Sequence, residues 1–492
     1  MKTTMPRTHA FARNLLALLL LAAGSLVAEA ARKPNLIWIM ADDLGYGEVG
    51  CYGQKHIQTP NMDRMAAEGM RFTQFYAGST VCAPSRSVLM TGLHMGHTRV
   101  RGNAMPSDYT PQNLQPGDVT VAEVMKKAGY ATALVGKWGL GVEGTVTVPT
   151  RQGFDLFFGY LDQYHAHNAW PEYLIKNEGR VQLRNKVPKE GKAYEKLGAG
   201  IASEKVDYAP DLMLSEALQW IEANQDKPFF LYFSPIIPHA NNELQLATKA
   251  GQECNGFGIY ADKPWPDQDK CHAAACTAFD DQVGRLLALL KKLGLDQQTL
   301  VLCTSDNGPH QEGGQNLDFF QPSGPLRGIK RALYEGGIRV PFLARWPGHV
   351  PAGAVNGHLG YFGDLMATAA ELAAVRPPRY LDSVSFLPAL TGQPLKQKQH
   401  DYLYWEFHET AFHQAVRMGD WKAVRYGTKK PLELYNLKSD LGETTNLAAQ
   451  QPAVVKRIEK IMQTAHRDTK YWPIREEGTP GVTDWSKGAG KK

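Results

Sequence analysis

A chain of 492 residues can bury a large core without cross-links, and 43% hydrophobic with 21% charged residues is the balance of an ordinary globular protein, which excludes disorder. The formal charge of +5, from 54 basic and 49 acidic residues, is too small to imply a nucleic-acid partner. The amino terminus carries Lys2, Arg7 and Arg13, then an apolar run over 15–27, then Ala28-Glu29-Ala30. That is the pattern of a secretory signal peptide over 1–30, and the run falls short of the ~20 apolar residues that a membrane span needs. The mature chain is therefore expected to be exported, periplasmic or secreted, with no stable membrane anchor.

Residues 34–41 form a continuous apolar run, as a central parallel strand requires, and it ends in Asp42-Asp43. Adjacent carboxylates at the end of a buried strand need a positive neighbour, and a hard divalent cation would supply it; a solvated turn with capping aspartates is the other reading. Thr59-Pro60 opens a helix running to about 68. The stretch Val81-Cys82-Ala83-Pro84-Ser85-Arg86-Ser87 reads as a loop ending in a helix amino terminus. Free amides there suit an anion, Arg86 adds a fork matched to tetrahedral oxyanions, and Cys82 stands where a nucleophile could meet one. A polar loop follows, with His94, His97, Arg99, Arg101 and Asn103. Next come a helix over 119–128 and a strand over 131–135. Lys137-Trp138-Gly139-Leu140-Gly141 places a lysine at that strand's end, and Tyr164-His165-Ala166-His167-Asn168 forms a loop with an alternating histidine pair.

A buried strand over 229–233 turns off through two prolines into His239, a backbone-fixed candidate for general acid. Cys254, Cys271 and Cys276 lie close enough in sequence to supply one disulfide, with the pairing open. A helix spans 271–293, and a strand over 299–304 leads to Ser305-Asp306-Asn307-Gly308, a second oxygen-ligand pair at a second strand end. The glycine-rich loop 324–337 carries Lys330, 340–345 is a strand and 362–373 a helix. Alternation of strands and helices predicts a doubly wound, mostly parallel α/β sheet flanked by helices over 31–392. After a polar linker, 393–478 reads as a small antiparallel sheet plus a helix, and 479–492 as a disordered tail.

Cys82-Ala83-Pro84-Ser85-Arg86 followed by Leu89-Met90-Thr91-Gly92 resembles the type I sulfatases of the alkaline phosphatase superfamily. The resemblance extends from residue 34 to about 448, closing on Leu434-Tyr435-Asn436-Leu437, Asp440, Glu443 and Asn446-Leu447-Ala448. It implies that Cys82 is converted to formylglycine by a formylglycine-generating enzyme. It further implies that Asp42, Asp43, Asp306, Asn307 and residue 82 hold calcium, with magnesium the lesser alternative. Arg86 would hold the formylglycine, Lys137 and Lys330 bind sulfate, and His239 protonate the leaving alcohol. The implied activity is hydrolysis of sulfate monoesters, with sulfated carbohydrate as the expected substrate; Trp170, Tyr173, Trp265 and the His165 loop are candidates to stack on a sugar. A phosphate mono- or diester hydrolase of the same superfamily, or a non-catalytic sugar-binding relative, is the alternative.

The chain departs from the family at one place: Gly139 stands where a histidine is usual, between Trp138 and Leu140. His165 or His167 is the expected substitute, supplying an imidazole from the neighbouring loop.

Overall fold

Seven residues of the sequence NLIWIMA, Asn35–Ala41, form strand β1, and all seven are buried, as a strand covered on both faces demands. The computed structural model describes residues 32–104, 108, 110–409 and 411–475; the expected signal segment and tail lie outside them. After β1 come β2 (Met70–Phe72), β3 (Ala131–Lys137), β4 (Leu156–Tyr160), β5 (Tyr173–Lys176), β6 (Gly179–Gln182), β7 (Phe229–Ser234), β8 (Thr299–Ser305), β9 (Phe342–Arg345) and β10 (Ala354–Asn356). They make one ten-stranded sheet in the order β10-β2-β9-β8-β1-β7-β3-β4-β5-β6. The central strands β8, β1, β7, β3 and β4 are mutually parallel, while β9, β5 and β6 join antiparallel toward the edges.

Two layers of helix cover the sheet: α1 (Pro60–Glu68), α2 (Cys82–Thr91), α3 (Val121–Lys127), α4 (Ala209–Ala223), α5 (Asn242–Thr248), α6 (Asp267–Lys292) and α7 (Asp364–Leu372). Alternate β1 side chains serve different cores. Leu36, Trp38 and Met40 pack with α2, α3 and α7, whereas Ile37, Ile39 and Ala41 pack with α1, α4 and α6. Period-two alternation thus persists inside a wholly apolar strand. Helix α6 begins at Asp267, four residues before the reading from sequence, because Pro266 supplies its amino-terminal boundary.

The second sheet is antiparallel: β11 (Leu403–Phe407), β12 (His413–Met418), β13 (Trp421–Tyr426) and β14 (Glu433–Asn436), with α8 (Pro452–Thr464) against it. Among the described residues, those from 34 onward form one compact unit. The reason is visible at Trp405, fully buried in the core that β1 and α2 share, its Nε1 donating to Ala77 O at 3.0 Å.

Candidate functional site

Four neighbouring strands deliver polar residues to one sheet edge. At the carboxyl ends of β8, β1, β7 and β3 stand Asp306-Asn307, Asp42-Asp43, Ser234 with His239 beyond it, and Lys137. This is the edge at which open α/β sheets bind ligands. The register Ala41–Ser305 sets Asp42 beside Asp306, and Asp306 N donates to Ala41 O at 3.1 Å. Asp43 takes a left-handed φ of 68°, its N–H donating to Asp306 Oδ1 at 3.1 Å while its Oδ1 accepts from Asn307 Nδ2 at 2.6 Å.

Cys82 is the first residue of α2, with Sγ 3.4 Å from Asp42 Oδ1. Arg86 follows one turn later on the same face. Its guanidinium is fully buried and donates to Asp306 Oδ2 at 2.8 Å, Ser234 Oγ at 2.7 Å and Lys137 O at 2.7 Å. Lys137 Nζ reaches Asp42 Oδ2 at 2.8 Å, and Lys330 Nζ reaches Asp43 Oδ2 at 2.7 Å. Burial alone would lower both ammonium groups, but Asp42 lifts Lys137 and Asp43 lifts Lys330, so both stay charged. Burial pushes the Cys82 thiol well up, against the pull of Lys137 and Lys330, so the unmodified side chain is a protonated, weak nucleophile.

His239 is fixed at both ring nitrogens: Nδ1 donates to Ala240 O at 2.6 Å, and Nε2 lies 3.2 Å from Lys330 Nζ and 3.4 Å from Asp43 Oδ2. Burial, then Lys330, hold its pKa down to about 3. Its ring lies between two others, His167 at 5.5 Å and 8° and His310 at 5.9 Å and 28°.

The donor set suits a hard divalent cation. Asn307 Oδ1 is buried and accepts no hydrogen bond, although its Nδ2 has two acceptors. Burial and the neighbouring Asp42 push the Asp306 carboxyl up to about 7, the mark of carboxylates crowded beyond what the local cations offset. Three carboxylates (Asp42, Asp43, Asp306) meet three cations (Arg86, Lys137, Lys330), so a sulfate-like anion entering the site adds negative charge that these six groups do not offset. Oxygen donors of this kind favour calcium or magnesium.

The expected catalytic and metal-holding residues therefore converge, but the two histidines proposed to replace the one missing at 139 divide. His167 meets His239 and lies 3.3 Å from Glu243. His165 does not join the cluster; its ring packs on Tyr160 and Tyr173. The Asp162 carboxylate accepts the His165 N–H and turns the chain there, which separates the two rings. Trp170 is 6% exposed and packs on Tyr208, so it offers no free face to a sugar. In the loop after α2, Arg101 is buried 3.4 Å from Glu406, and Asn103 alone touches the site, its Oδ1 accepting from Ala83 N at 3.1 Å.

Two further residues at the site were given no role from the sequence. Ser85, inside the Cys82 motif, donates from Oγ to Asp306 O at 2.6 Å, and Glu409, just beyond β11, accepts from Asn103 Nδ2 at 2.9 Å. His310 stands four residues beyond Asp306, and that spacing was the available clue.

A family profile described as Sulfatase matches residues 34–375, and one described as N-sulphoglucosamine sulphohydrolase, C-terminal, matches 329–468. N-acetylgalactosamine-6-sulfatase of Rattus norvegicus is 35% identical over 395 residues, covering 77% of this chain and 70% of that one. Arylsulfatase A of Homo sapiens is 33% identical over 488 residues, covering 90% and 89%. Among solved structures, Ps i-CgsB in complex with k-i-k-neocarrahexaose superposes with a TM-score of 0.74 at 26% identity, covering 93% of this chain and 98% of that one.

Proposed function

The chain belongs to the sulfatase family, and from that premise we propose that this sulfuric ester hydrolase removes sulfate from a sulfated carbohydrate, using formylglycine made from Cys82 and a calcium ion. The carrying observation is that Cys82, Arg86, Lys137, Lys330 and His239 meet around three aspartates at one sheet edge. The carbohydrate assignment is supported by a relative named for N-acetylgalactosamine-6-sulfate chemistry and by a structural neighbour holding an oligosaccharide.

Asp42, Asp43, Asp306, Asn307 and residue 82 would hold the cation, which when bound draws charge from a sulfate oxygen. Formylglycine supplies, as its hydrate, an oxygen nucleophile that a buried, protonated thiol does not. Arg86, locked by three acceptors, fixes the position of Asp306 and the face of α2 that presents residue 82. Lys137 and Lys330 approach from two sides and spread the negative charge that builds on the sulfuryl oxygens. His239 Nε2 is the proton donor to the departing alcohol; Nδ1 keeps its hydrogen on Ala240 O, which leaves Nε2 as the working nitrogen. The arriving sulfate ester is a monoanion, and its negative charge favours the imidazolium there.

Export is part of the same proposal. Among the described residues no helix is long and apolar enough to cross a membrane, and Cys254 and Cys271 form a disulfide, which suits an oxidising compartment. Cys276 lies instead against His272.

Sulfate release from a panel of sulfated sugars and an aryl sulfate tests the proposal. Protein co-produced with a formylglycine-generating system should turn over, and Cys82→Ala made identically should not. No release from any substrate, with formylglycine confirmed by peptide mass, would overturn it. Release of phosphate in preference to sulfate would move the assignment to phosphate esters.

A further inference from the structure

We propose that Gln163 is an additional anion-binding residue of this site, its carboxamide filling the space left by Gly139 and donating a hydrogen bond to a bound sulfate oxygen; this rests on the sulfatase reading above. Gly139 has a φ of 73°, and a Cβ built on it would fall 2.2 Å from Gln163 Nε2 and 3.1 Å from Gln163 Cδ. The side chain of Gln163 therefore occupies the volume into which any residue at 139 would project. The same point lies 3.7 Å from Arg86 Cδ. Arg86 shares its helix face with Cys82, and Lys137 Nζ, two residues before Gly139, points to Asp42. The carboxamide thus adjoins the Arg86 side chain, beside the end of the strand that carries Lys137.

Its donor is unused. Gln163 is 4% exposed, and Nε2 has no hydrogen-bond partner. The backbone of Gly139 is engaged elsewhere: its N–H donates to Leu161 O at 2.9 Å, and its O accepts from Gln112 Nε2 at 2.8 Å. A buried N–H without an acceptor is costly, and an oxygen of an anion held at this strand end by Lys137 is the acceptor this corner lacks. The backbone that carries the amide is held by the turn, since Asp162 Oδ1 accepts the N–H of Tyr164 at 2.9 Å and of His165 at 2.8 Å just beyond Gln163. A carboxamide neither gains nor loses a proton at accessible pH, so Gln163 binds and orients but does not act as the base of the last step.

The test uses full-length Cys82→Ala protein with calcium present and measures inorganic sulfate binding by calorimetry, a readout independent of formylglycine. Adding Gln163→Ala should weaken sulfate about tenfold, the cost of one hydrogen bond to a charged partner. Gln163→Glu, the same shape with a negative charge and no donor, should weaken it further. Gly139→Ala should displace the amide and mimic Gln163→Ala, and the two together should cost less than their sum. In the activated enzyme the Gln163→Ala defect should be constant from pH 6 to 8, because the lost group does not titrate. Circular dichroism melting checks that each variant folds. Sulfate affinity unchanged in folded Gln163→Ala and Gln163→Glu overturns the role of Gln163 alone. Failure of the Cys82→Ala parent to bind sulfate overturns the sulfatase reading of the site and this proposal with it.

Discussion

Asn307 is buried, commits both amide hydrogens to Asp43 and Gly308, and leaves Oδ1 with no donor from the protein. Together with the raised Asp306 carboxyl this makes a cation the missing neighbour. Calcium added to chelator-treated protein should therefore raise its melting temperature, by the equivalent of about 2.7 kcal/mol at a hundredfold excess over the dissociation constant. Asn307→Ala should remove most of that gain, and a melting temperature indifferent to both calcium and magnesium would refute the cation site. Ser85 illustrates a different dependence. Its hydroxyl donates to Asp306 O and accepts from Gly78 N, joining α2 to the carboxyl end of β8. Ser85→Ala should cost about 1–3 kcal/mol in denaturant titration, because two buried backbone groups lose their partner.

At the scale of elements, the turn leaving α2 is held by side chains rather than by regular structure. Gly92 ends the helix with φ 70°, and His94 and His97 stack at 4.1 Å over Asp382. Burial holds the His94 ring down to about 4, in opposition to Asp382 and in concert with His97; Glu406 raises it and Arg101 lowers it further. The folded protein keeps this imidazole neutral where the unfolded chain protonates it near 6.5. Stability is therefore full above pH 6.5 and is lost as pH falls from there toward 4, by on the order of 2–3 kcal/mol. His94→Gln should flatten that part of the stability–pH curve; an unchanged slope in urea titrations at pH 4 to 7 would exclude His94 as its source.

At the scale of the whole molecule, the second sheet is cemented to the first by buried charge as well as by Trp405. Lys422 on β13 is wholly buried between Glu335 at 3.0 Å and Glu443 at 3.3 Å, and Arg417 on β12 donates to Tyr76 OH at 3.1 Å. Lys422→Met leaves the buried Glu443 carboxylate without its cation and Glu335 with Arg339 at 3.1 Å, and should destabilise by about 3–5 kcal/mol. Cutting the chain after Gly392 exposes the Trp405 socket and takes Lys422 from Glu335, so the shortened protein should aggregate or remain unfolded. A soluble, cooperatively melting fragment ending there would show that the α/β sheet stands without the second one.

Runs such as NLIWIMA at 35–41 and FFLYF at 229–233 are apolar enough to dictate central strands, and the polar pairs that end them had to emerge at one edge once those strands were parallel. For that reason the sheet, the Asp42-Asp43 and Asp306-Asn307 pairs, Cys82 and His239 were legible from local pattern and motif. Local pattern says nothing about which loop bends toward which strand end. His165 and His167 are indistinguishable in sequence, and only the folded loop sends one to His239 and the other to Tyr173. Gly139 reads as a deletion of function until Gln163 is seen occupying its space. Asn103, Glu409 and His310 likewise owe their positions to long-range packing. The sequence by itself determined the elements and the chemistry at strand ends, because those follow from periodicity and short-range motif. The tertiary structure alone decided which distant side chains complete the site, because their contacts join loops and sheets far apart along the chain and are set by how those pack.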